Sequence, residues 1–148
     1  MVDDLDFLVR AKGLSSIKYY CMTNELTLTE WGSMWKDLPR FKSYHQAIFD
    51  ELKARKLDIG LLATDASPAG RWDTIEWAAK NMDDITAVYG GHHYIEEYAP
   101  DDEQFYPWFL GKMQWGAGLA RQHGKGFIMG EFGGRPGSHT VGKKRFDT

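Results

Sequence analysis

The chain carries one cysteine, Cys21, in 148 residues. A lone thiol excludes an internal disulfide framework, and its position inside an apolar run marks it as a buried structural group. Long apolar runs are missing too: none approaches the roughly 18 residues of a membrane span. Excess basic charge is absent, because 18 Lys and Arg stand against 21 Asp and Glu for a net charge of −3. That balance leaves no electrostatic footprint for nucleic acid. The one basic cluster, Lys143, Lys144 and Arg145, reads as part of a solvated tail. The first residues, "MVDDLDFLVR", are acidic where a signal peptide is positive, so no export is expected; the compartment is left open, cytoplasmic for the chain as given. Glycine is absent from "TNELTLTE", the stretch after the first apolar run, which argues against a phosphate-cradling loop and a flavodoxin-like binding domain.

What is present is a core-forming composition, 43% hydrophobic, at the length of one domain. Short apolar runs alternate with helical patterns. Residues 3–12 suit a short helix with Leu5, Leu8 and Val9 on one side and Gly13 as its cap. "SIKYYCMT" reads as a strand. Phe41, Tyr44, Ile48, Phe49 and Leu52 recur at helical spacing and predict a helix from Leu38 to Arg55. "LDIGLLAT" is a second strand, ending near Asp65. Asp73 and Glu76 form a capping-box signature for a helix bearing Ile75, Ala79 and Met82. "ITAVYGGHHY" is a third strand, and a longer helix follows with Phe105, Phe109, Met113 and Leu119. "GKGFIMGEFGG" supplies the fourth strand.

Strands alternating with helices, and apolar on both faces, predict a parallel α/β sheet with crossover helices. Either a small doubly wound sheet or part of a (β/α)8 barrel fits. In both, the C-terminal strand ends share one edge. Here those ends carry Asn24-Glu25, Asp65, His92-His93-Tyr94 and Glu131. Two carboxyl groups on one rim suit glycosidic bond cleavage, in which one protonates the leaving oxygen and the other attacks the anomeric carbon.

"YYCMTNEL", "YGGHHY" and "FIMGEFG" resemble the fourth, sixth and seventh barrel strands of clan A retaining glycoside hydrolases, such as families 5 and 39. The resemblance runs from about Leu5 to Gly134. It implies Glu25 as acid/base, Glu131 as nucleophile, and Asn24 as a hydrogen-bonding partner of the sugar 2-hydroxyl. His92 and Tyr94 match a His-x-Tyr motif in which the Tyr hydroxyl holds the nucleophile. It further implies that the two carboxyl groups lie about 5 Å apart. Leu26 stands where the clan has Pro, and nothing matches the clan's first three strands or its eighth. A full barrel needs about 250 residues.

The expectation is therefore half a barrel over residues 1–134, with a loose Gly- and Lys-rich tail over 135–148. The substrate is expected to be an oligosaccharide or other β-glycoside, without a cofactor. The competing reading is a non-catalytic fragment or carbohydrate-binding remnant that self-associates or meets a complementary barrel half. Trp31, Trp35 and Trp72 are candidate stacking platforms, the first two for the leaving-group sugar. Asp65 reads as a loop cap. A metal centre drawn from His92, His93, Glu131 and His139 is disfavoured, since adjacent histidines on a strand face opposite ways.

Overall fold

The computed structural model describes residues 1–28, 34–94 and 102–133. Trp31 and the 135–148 tail, with His139, lie outside them, as do the side chains of Trp35 and Phe105. Among the described residues four strands, β1 (Tyr19–Cys21), β2 (Gly60–Ala66), β3 (Val88–Tyr94) and β4 (Gly126–Gly133), pair in chain order. Every pairing is parallel. With helices α1 (Val2–Asp6), α2 (Leu38–Ala54), α3 (Asp73–Asn81) and α4 (Asp102–Gln122) between and before them, this is a curled, partial barrel sheet. No helix among the described residues is long and apolar enough to cross a membrane.

Local chemistry explains most of these elements. α1 runs on as a wider turn over Phe7–Ala11 and stops before Gly13, whose φ of +71° suits glycine. α2 opens at Asp37, whose carboxylate accepts the Arg40 amide at 3.1 Å, and it buries Phe41, His45 and Leu52. Tyr44 does not share that face; it is exposed, and His45 takes the buried position instead. α3 differs from expectation at its start. Asp73 is its first residue, Trp72 stands at the N-cap without a side-chain bond, and the capping box does not form. β1 is shorter than its apolar run because only three residues meet β2 before the chain bends toward Glu25.

Among the described residues, two apolar clusters hold the layers together. The larger lies between the sheet and α3 and α4, with Trp72, Ile75, Met82, Tyr89 and Ala120 at its centre. Phe109, Met113 and Leu119 of α4 pack on it. Trp72 is fully buried, so it is core and not a ligand platform. Its indole donates to the Ala66 carbonyl at 3.0 Å and presses on Gly91, where any Cβ would lie 2.5 Å from the ring nitrogen. The smaller cluster joins α1 and α2 to Leu57, Ile59 and Leu61. Cys21 is partly buried and donates to the Thr23 carbonyl. Burial and the nearby Asp65 charge push its thiol up to about 12, so it is chemically quiet.

Candidate active site

Two register breaks build the polar rim. Along β4, Phe127 and Met129 pack against the helix-side core. Strict alternation would send Glu131 the same way. Gly91 pairs with Met129 but His92 pairs with Glu131, so Gly130 is an extra residue that turns Glu131 onto the face of His92. A side chain at Gly130 is excluded by that ring: a Cβ there would lie 2.8 Å from His92 Nε2. β2 breaks likewise. Thr64 pairs with Gly90 and Ala66 with Gly91, leaving Asp65 as the extra residue with φ of +58°.

Asp65 is the hub. Its Oδ1 accepts from His92 Nε2 at 2.8 Å, and its Oδ2 accepts the Glu25 amide at 3.0 Å. Its carbonyl accepts the Leu26 amide. The expected loop-capping role is therefore real, and it extends to orienting the histidine. The loop after β1 is stitched down further by Thr27, whose hydroxyl accepts the Ser67 amide at 2.8 Å. Glu25 has φ of +50°, a left-handed conformation unusual for a residue with a long side chain. It is 6% exposed. Asn24 beside it is exposed.

His92 sits between the two glutamates. Its Nδ1 lies 3.6 Å from Glu25 Oε1 and 3.7 Å from Glu131 Oε1, with its side chain 4% exposed. One oxygen of each glutamate and the ring nitrogen all lie within 4.8 Å of one another. Tyr94 donates its hydroxyl to Glu131 Oε2 at 2.6 Å, leaving Oε1 turned toward the histidine. Burial alone would lower the His92 pKa. The bond to Asp65 and the charges of Asp65, Glu131 and Glu25 outweigh it and hold the imidazole above its ordinary value.

His93 faces the other way. Its Nδ1 accepts the Ala69 amide, and its ring stacks on Phe109 at 5.1 Å. Burial pushes it down to about 4, so it is neutral and structural. The structure thus brings together Glu25, His92, Tyr94 and Glu131. The central place of Asp65 was invisible to motif reading, although an Asp ending an apolar run was a usable signal. A separate concavity of about 300 Å³ lies along α1, lined by Asp3, Asp6, Arg10 and Arg55. Its charges already pair, Arg55 with Asp3 and Glu51 and Arg10 with Asp6, so it offers no comparable chemistry.

Comparison with protein-family models, with curated proteins and with solved structures finds no match. The functional reading rests on the residues themselves.

Proposed function

We propose that this chain carries the acid/base and nucleophile of a retaining glycosidase acting on a β-linked glycoside. The observation that supports this best is that one carboxylate oxygen of Glu25 and one of Glu131 lie within 4.8 Å of each other on one rim. That spacing lets a carboxylate reach the anomeric carbon directly, whereas the inverting reaction needs room for a water between the two groups. In the first step a Glu131 oxygen bonds to the anomeric carbon, the glycosidic C–O bond breaks, and Glu25 passes its proton to the departing oxygen. In the second, Glu25 takes a proton from water, whose oxygen bonds to the anomeric carbon and releases Glu131. Tyr94 fixes the nucleophile by its bond to Oε2. Asn24 is positioned in sequence to meet the sugar, and Trp31 and Trp35 follow as candidate stacking groups.

Trapping tests the reading. Activated 2-deoxy-2-fluoro-β-glycosides of several sugars, incubated with the chain, should leave a covalent sugar on the Glu131 peptide, read by mass spectrometry. No label, or a label elsewhere, overturns it. Glu131→Ala should abolish turnover, with azide restoring some of it as inverted product. Glu25→Ala should cost about 10²–10⁴-fold on unactivated glycosides while sparing aryl glycosides with good leaving groups. Equal losses on both would remove the acid role.

One observation favours a second reading, in which the chain is a binding remnant or one part of a larger barrel. Among the described residues, β1 and β4 each pair with a single neighbour. Tyr19 on β1 and Phe132 on β4 are about half exposed, at 51% and 54%. Open strand edges of this kind invite a further strand. Sedimentation of the purified chain beside the labelling assay separates the two: a dilute monomer that takes the label excludes the second reading.

A further inference from the structure

The surroundings of His92 Nδ1 pose a problem that the glycosidase reading leaves open. Asp65 accepts from Nε2 at 2.8 Å, which places the Nε2 proton and turns the Nδ1 position toward Glu25 and Glu131. A bare lone pair there would face two carboxylate oxygens, at 3.6 and 3.7 Å. A proton on Nδ1, a proton on Glu25 or a bound metal ion would each relieve that repulsion, and the geometry distinguishes them. Both gaps are long for an N–H···O bond. Among the described residues, nothing lies within hydrogen-bonding distance of Nδ1, and the side chain is 96% buried by its 4% exposure. The two nitrogen–oxygen gaps suit a bridging ion, since two ligands at about 2.0–2.1 Å from a tetrahedral metal stand about 3.4 Å apart; the two carboxylate oxygens, within 4.8 Å of each other, would close on the ion as it binds.

We propose that Glu25, His92 and Glu131 form a three-ligand site for a divalent transition-metal ion of the Zn²⁺ class. Asp65 is its positioning residue, holding the imidazole by the far nitrogen as carboxylates hold metal-binding histidines elsewhere. One nitrogen and two oxygens suit Zn²⁺ or Co²⁺ better than Mg²⁺ or Ca²⁺, which take six or more oxygens. Glu131 is the open side of the site, with its side chain 40% exposed, so a fourth position faces outward. The proposal replaces the disfavoured set that included His93 and His139; His93 points away into the α4 aromatics. It stands on the geometry around one nitrogen and not on the glycosidase reading. If both hold, the ion and the glycoside compete for the same carboxylates, and Zn²⁺ inhibits.

Calorimetric titration of the full chain with Zn²⁺ should find one site, and Co²⁺ should give the intense visible bands of low coordination. Mg²⁺ and Ca²⁺ should give neither. Glu131→Gln and His92→Gln should each weaken Zn²⁺ by more than 100-fold, and Asp65→Asn by about 10–100-fold. Glu51→Gln, on α2, should change nothing. Should His92→Gln fail to fold, nitrogen NMR of the unmutated chain decides, because Zn²⁺ must shift the His92 Nδ1 resonance. Absence of a site, unchanged affinity in Glu131→Gln, or an unmoved Nδ1 resonance overturns the proposal. A chain that binds Zn²⁺ but takes no fluorosugar label separates failure of the enzyme reading from failure of this one.

Discussion

The two ends of the sheet use similar residues to opposite effect. At the N-terminal end, Asp83 accepts from Tyr89 and Lys125, and His123 Nδ1 lies 3.2 Å away. Burial pushes Asp83 up, but the bonds from Lys125 and Tyr89 and the Lys125 charge prevail and hold its carboxyl below the ordinary range. There a carboxylate meets its cation and the account closes. At the C-terminal end three carboxyl groups surround one histidine, two residues adopt positive φ, and two strands break register. Strained polar geometry of that kind is what the proposed site is built on, while the other end pairs its charges.

Acid titration tests whether burial differs between the ends, and it should have the largest effect. His45 bonds to the Ile85 carbonyl below β3, and His93 accepts the Ala69 amide at the other end. Burial pushes each down to about 4. Both stay neutral when folded and take up protons on unfolding below their ordinary value near 6.5. Stability from these groups is therefore present above pH 6.5 and is lost as pH falls toward about 4, by up to ~3 kcal/mol for each. Urea midpoints at stepped pH would show it. His45→Gln and His93→Gln should flatten the curve by similar amounts; flattening by only one of them would tie the loss to one end.

Paired aspartate changes sharpen the contrast. On the glycosidase reading, Asp65→Asn should lower turnover by about 10²-fold through misplacement of His92 and Glu25, at a cost of about 1–3 kcal/mol, because the amide keeps only one of the two buried acceptors. Asp83→Asn should cost stability alone. Turnover holds, while stability drops by about 2 kcal/mol as Lys125 loses its anion, a figure kept below that of a fully buried pair because Asp83 is 38% exposed. Denaturant unfolding and a turnover assay on the same two proteins check it. Loss of turnover in Asp83→Asn would erase the distinction between the ends.

The smallest expected effects lie along β4 itself. Gly130→Ala brings a Cβ to 2.8 Å from the His92 ring, so the ring must shift. It should cost about 1–2 kcal/mol and disturb the site. Gly126→Ala, at the other end of the strand, meets only Val88 at 3.6 Å and should stay within about 0.5 kcal/mol. Equal costs by thermal unfolding would show that the rim is not specially packed.

Order and type of the elements were determined locally. The apolar period of α2, the continuous apolar β2 and β3, and their alternation are properties of short stretches, so parallel α/β architecture follows from the residues alone. The His-x-Tyr pattern also placed His92 and Tyr94 on one face and His93 on the other, because strand alternation is local. What tertiary structure alone decided is which way the acids point. By alternation Glu131 belongs with Phe127 and Met129 against the helices; pairing with β3 inserts Gly130 and turns it round. Asp65 became the hub through the same device, a residue without a partner across the strand. Trp72 in the core and Tyr44 at the surface were settled in the same way, by what the neighbouring layer offered each side chain. Register depends on two strands at once, and no single stretch of sequence contains it.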